Sequence, residues 1–187
     1  EAGSGMAKMR SGLGLSQDGV EDLMGSMNHL SNNMAVTAAQ AMEVVLKTGG
    51  VGRAANISGQ EVAGLGAAMI ASGAQSDVAA TASKNYILSL AAGETATKRQ
   101  RAAFKDLGMD AEDVARRFTG SAKERLKVQQ ELLAELGKLH GDEKVSALAN
   151  LFGKESVGAI SGITNDVDTF TKSMNMATDA TAAASSV

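Results

Sequence analysis

The sequence predicts an all-α protein, and three observations carry that reading. Apolar residues make up 44% of the chain but aromatics only 3%. The apolar material is mostly Ala, Leu, Val and Met, whereas strands draw on β-branched and aromatic residues. Proline is absent from all 187 residues, where average usage of about 5% would supply roughly nine, so no ring interrupts a helix. Apolar positions recur at three and four residues, and no alternation is long enough for a strand. The expectation is a compact array of roughly seven to nine short helices with a coiled-coil-like helix at the C-terminal end.

Glu1 to Gly14 is rich in Gly, Ser and Met and reads as a flexible N-terminal segment. A helical core domain is expected over 15–164, and 165–187 reads as a helical extension. The chain opens Glu1-Ala2-Gly3 and reads as a piece of a longer parent, into which that extension would continue.

Ser16 caps the first helix of the core, whose inward positions are Val20, Leu23, Met24, Met27, Leu30 and Met34. Thr37 to about Lys47 makes the next, with Ala38, Ala41, Met42, Val45 and Leu46 inward and "TGGVG" as its stop. Ser58 with Glu61 is a capping-box pattern opening a helix that Gly73 ends. Gly64, Ala68 and Ser72 on that helix form a small-residue seam suited to close packing. Helices over Ser76–Ala92 and Thr95–Leu107 follow.

Composition then shifts. Residues 1–93 carry five basic and seven acidic residues, and residues 94–154 carry twelve and ten. The mixed charges of the second block read as solvated helix faces. Ser121 with Glu124 repeats the capping box ahead of Leu126, Gln129, Leu133, Leu136 and Leu139. Gly141 breaks that helix, and the next turns Val145, Leu148, Ala149 and Phe152 inward. Ile160, Ile163, Val167, Phe170, Met174 and Ala177 then form a heptad-like seam under three heptads long.

The function classes excluded are several. There is no cysteine, hence no disulfide, thiolate metal site or cysteine nucleophile. The net charge of −3 argues against sequence-specific nucleic-acid binding. The run "TKRQR", Thr97 to Arg101, lacks the aromatic platform a single strand needs. No apolar run reaches the roughly 20 residues of a transmembrane helix, so no membrane contact is expected, and no signal peptide is recognisable.

Catalytic, cofactor and metal sites are all read as none. "LANLFGKES" places a Gly-Lys pair as a phosphate loop would, but Leu148 stands where such a loop needs its first Gly, and Glu155 where it needs Ser or Thr. Gly153 is better read as a helix stop, with Lys154 and Glu155 opening the next turn. His29 and His140 lie on different elements without zinc-ligand spacing. "DAED", Asp110 to Asp113, reads as carboxylates at a helix start. In Asn56-Ile57-Ser58 a glycosylation sequon competes with Ser58 as a cap. The methionines Met24, Met27, Met34 and Met42 read as core packing rather than an adaptable binding face.

With these segments in order, residues about 13 to 165 resemble the core region of phage tail tape measure proteins. The resemblance runs through "VAGLGAAMIASGAQSDVAATASKNYILSLAA", "KRQRAAFKDLGMD", "ERLKVQQELLAELGKL" and, most specifically, "DEKVSALANLFGKESVGAI" with its Leu151-Phe152-Gly153. It implies a structural virion protein in tail assembly, tail length determination and DNA ejection, housed in the lumen of the tail tube after assembly in the host bacterial cytoplasm. The implied partners are tail tube and tail tip proteins, tail assembly chaperones and further copies of itself, with no cofactor. Two other readings are a helical scaffold or adaptor without a phage role, and a hydrolase whose site is assembled from Glu, Asp and Ser on separate helices.

Overall fold

A computed structural model describes residues 2–179. Among them there are eleven α-helices, two 3-10 turns and no strand. The helices are α1 (Ala2–Leu13), α2 (Gln17–Asn33), α3 (Ala38–Ala54), α4 (Gly59–Ala71), α5 (Ser76–Leu90), α6 (Lys98–Asp106), α7 (Ala111–Phe118), α8 (Ala122–Gly137), α9 (Gly141–Phe152), α10 (Val157–Thr164) and α11 (Val167–Thr178). The all-α expectation holds, and the count of seven to nine is low.

The core is built round α4. Every residue from Glu61 to Ile70 is buried, and the helix touches α2, α3, α5, α10 and α11. Small residues make this possible. A Cβ at Gly66 would lie 2.6 Å from Val44 Cγ1 of α3, and one at Gly64 would lie 3.0 Å from Met174 Sδ of α11. Two buried hydroxyls fasten the layers: Thr48 Oγ1 donates to Ala80 O at 3.1 Å, and Ser173 Oγ donates to Gly64 O at 2.6 Å. The seam read from Gly64 and Ser72 is therefore internal packing, with Ser72 Cβ 2.9 Å from the position a Gly162 Cβ would take.

Four expectations need correction. Within the segment 1–14, read as flexible, Ala2–Leu13 form α1, whose Met9 is fully buried against the core. The helix expected to stop at "TGGVG" runs on to Ala54. Its glycines give room instead of ending it: Gly49 faces Leu13 of α1, and a Cβ at Gly52 would lie 2.9 Å from Val62 Cγ2. The true stop is Asn56, with a left-handed φ of 66°, where Ile57 N donates to Gly52 O at 2.7 Å. Val145 is exposed, because α9 turns Leu148, Leu151 and Phe152 inward.

The fourth correction concerns the C-terminal seam. It is not one coiled-coil-like helix. Asp166 accepts from Thr169 N at 3.0 Å and starts α11 afresh. Ile160, Ile163, Phe170, Met174 and Ala177 are all buried within the chain, so the seam is spent on its own core. Residues 180–187 of the expected extension lie outside the described residues.

Candidate functional site

Where charge and aromatic rings gather inside the protein, they form one connected network. Ser58 caps α4, and Glu61 closes the capping box by accepting from Ser58 N at 3.3 Å. The same carboxylate accepts from Arg125 Nε at 2.6 Å and from Nη2 at 2.9 Å. Arg125 Nη1 donates to the carbonyls of Phe118 at 2.9 Å and Gly120 at 3.1 Å, which lie at and beyond the end of α7. Further along α8, Gln129 Nε2 donates to Arg125 O at 3.0 Å and Gln129 Oε1 accepts from Tyr86 OH at 3.1 Å. Tyr86 stacks on Phe152 at 5.5 Å and meets Phe118 edge-on at 6.3 Å. Burial pushes the Tyr86 phenol well above the usual tyrosine range.

Such a cluster could mark a reaction site, since buried charge is otherwise disfavoured. Its geometry argues for structure instead. The two side chains of the ion pair are only 5% and 8% exposed. The adjoining cavity measures about 10 Å³, room for about one water. The bonds Arg125–Glu61, Arg125–Phe118 and Tyr86–Gln129 join α4, α5, α7 and α8. Sequence reading missed Arg125 because its charge suggested an outward face. The 3-4 spacing Arg125, Val128, Gln129, Leu132, Leu136 does pass through it, one residue off the Leu126 register.

The Leu-Phe-Gly turn is the other specific feature. Leu148, Leu151 and Phe152 are buried, and Gly153 ends α9 at φ 89°, a conformation that suits glycine. Lys154 to Ser156 form a 3-10 turn. The Glu155 carboxylate folds back over Gly153, its oxygens 2.8 and 2.9 Å from where a Gly153 Cβ would sit. Asn85 Nδ2 on α5 donates to both Glu155 Oε1 and Ser156 Oγ at 3.0 Å. Acceptor oxygens thus occupy the space a phosphate would need, and the turn docks α9 onto α5.

Other segments singled out in the sequence are placed as follows. His29 lies on α2 beside Asn33, and His140 precedes α9, with no hydrogen bond between them. Asp110 caps α7, with Glu112 and Asp113 in its first turn. In "TKRQR", Thr97 and Gln100 form a capping box, and Arg101 reaches Glu112 at 3.4 Å and the carbonyls of Gly93 and Glu94. Ser121 accepts from Glu124 N, but the Glu124 side chain leaves the box for Arg117 at 3.3 Å. Met27 is buried, and Met24, Met34 and Met42 pack against the core. Among the described residues no group of three His, Cys, Asp or Glu is placed to hold a metal ion, and no helix is long and apolar enough to cross a membrane. An open groove of about 570 Å³ lies between α6 and α9.

Comparison with known proteins bears on what this body is for. A family model described as phage-related minor tail protein matches residues 1–153. A probable tape measure protein of Halomonas phage phiHAP-1 is 36% identical over 179 residues, 96% of this chain and 20% of that relative. The chain spans about a fifth of the length of the relative it matches. No solved structure matches it.

Proposed function

The chain belongs to the phage-related minor tail protein family, and on that premise we propose that it is a folded structural module of a tail tape measure protein. The observation that carries the reading is the relative's match over 96% of the chain. The family match takes in α1, which the sequence alone left out, and ends at Gly153, the residue that terminates α9. The body itself supports a structural role: among the described residues the buried charges of Glu61 and Arg125 are paired with one another, and the groove between α6 and α9 is open to the surface. Neither the adaptor without a phage role nor the hydrolase has support of this kind.

The module would act in assembly more than as a length of ruler. A single helix of the described residues would extend about 270 Å at about 1.5 Å per residue. Here the longest helices have 17 residues, folded back on one another. A compact body adds little length, so its contribution would be docking to tail tip or tube proteins, or engaging the assembly chaperones, while the rest of the parent sets length and leaves with the DNA.

Mass spectrometry of purified virions addresses this directly. Peptides from 2–179 should be recovered from intact tails and be shielded there from added protease. Their absence from purified tails would refute the virion role.

A further inference from the structure

We propose that α1 is a strap that opens without the rest of the fold, and that the half-buried Met42 of α3 is an oxidation site that releases it. Little ties α1 down. It packs on α2 and α3, and among its described side chains Met9 alone is buried. No side-chain hydrogen bond or ion pair joins the described residues of α1 to another element, and the Ser11 hydroxyl turns back to Ala7 O at 3.0 Å. Three of its twelve residues are glycine, and no acidic residue stands in its first turn, so the helix is weak by itself. The buried ion pair, the two fastening hydroxyls and the stacked rings all lie outside it. A segment held this way opens at lower cost than the whole fold.

The joint runs along one stripe of α3. Met42 Sδ lies 2.9 Å from where a Gly5 Cβ would sit, Leu13 lies where a Gly49 Cβ would, and the Arg53 guanidinium covers Gly14. The Met42 sulfur is thus pressed against the backbone of α1 while the residue is still open to solvent in part. Met174 Sδ is lodged against Gly64 in the same way, but that residue is only 4% exposed. A peroxide reaching Met42 gives up one oxygen to the thioether. The sulfur lone pair forms the S–O bond as the O–O bond breaks, and the proton on the transferred oxygen passes to the departing hydroxide, which leaves as water. Sulfur is oxidised by two electrons to the sulfoxide and the peroxide is reduced. The new oxygen is polar and needs space that Gly5 has already closed, so α1 must lift.

The proposal goes beyond the tail reading and is tested on the 187-residue chain itself. Hydrogen exchange read by peptide mass spectrometry should show the α1 amides exchanging about tenfold or more faster after mild hydrogen peroxide, with α4 and α5 unchanged. Met42→Leu, a swap of similar volume, should keep α1 protected after the same treatment, although Met6, Met24, Met34, Met109 and Met176 are also half-buried and remain to be oxidised. Methionine sulfoxide reductases should restore the protection of the wild-type chain. Oxidised Met42 under an α1 that stays protected overturns the proposal. So does a Met42 that remains a thioether while Met24 and Met34 are converted, or an α1 that opens equally in Met42→Leu. An untreated chain in which α1 and α4 exchange together shows that α1 is no separate strap. Each of these results leaves the tail-assembly reading where it stands.

Discussion

Arg125 of α8 and Glu61 of α4, separated by 64 residues in sequence, meet through two hydrogen bonds of 2.6 and 2.9 Å in the interior of the protein. The pair joins the two halves of the chain, the small-residue layer round α4 and the charged helices α7 and α8. Removing one partner leaves the other charge buried and unanswered. Arg125→Met should therefore cost about 3–5 kcal/mol. Adding Glu61→Gln removes the stranded charge while keeping a side chain able to close the Ser58 box, and should recover about 1–3 kcal/mol. Urea unfolding followed by circular dichroism measures both. A cost below about 1 kcal/mol for Arg125→Met would mean the pair contributes little to holding the halves together.

Two glycines on neighbouring helices should respond to alanine with opposite signs. A Cβ at Gly66 would sit 2.6 Å from Val44 Cγ1, whereas one at Gly50 meets nothing within 4 Å. Gly66→Ala should destabilise by about 1–3 kcal/mol through overpacking. Gly50→Ala, exposed in mid-helix, should stabilise by about 0.5–1 kcal/mol. Thermal melts of the two variants should shift in opposite directions. A common direction would contradict the reading of the α3 and α4 glycines as packing devices.

Phe152→Ala should cost about 3–5 kcal/mol, the range for a buried ring, since it also removes the partner stacked on Tyr86 at 5.5 Å. A loss under about 1 kcal/mol in chemical denaturation would place the ring at the surface, where it would await a partner.

Tyr86 is the sole tyrosine, so phenolate absorbance reports on it alone. Burial raises its pKa in the folded state above the ordinary value of 10.0. The folded state then holds its proton more tightly than the unfolded state does. This contribution to stability is complete below about pH 10 and is lost as pH rises above that. Alkaline titration should show phenolate appearing only together with loss of helical circular dichroism. Ionisation near pH 10 in a protein still helical would show that the phenol is open to solvent.

Much of this fold was legible because its signals are local. Ser16 and the Ser58–Glu61 box are where side chains meet orphan amide groups at helix starts, and Gly153 is where a helix must stop. The boxes at Thr37–Gln40 and Thr97–Gln100 carried the same signal and were there to be read. What was not legible depends on tertiary contact. In "AGSGMAKMRSGL" the helix formers Ala, Met, Lys, Arg and Leu are offset by three glycines, so propensity alone does not settle it. α1 forms because Met9 and Leu13 find a place on α3, and Leu13 fits only because Gly49 has no side chain. The glycines of α3 look like stops until α1 and α4 are in view. The seam after Ile160 looks continuous until Asp166 is recognised as a cap. The internal network was hidden for the same reason: the sequence shows neither Arg125 nor Glu61 that the other is near.

The central claim is that this chain is a compact assembly module of a tail tape measure protein. Removing 2–179 in frame from the parent, followed by electron microscopy of the particles, tests it most directly. An assembly module predicts that tails fail to assemble. Tails shorter by about 270 Å, the length of one continuous helix at about 1.5 Å per residue, would show that the segment acts as extended ruler. Infectious particles with tails of normal length would contradict both roles.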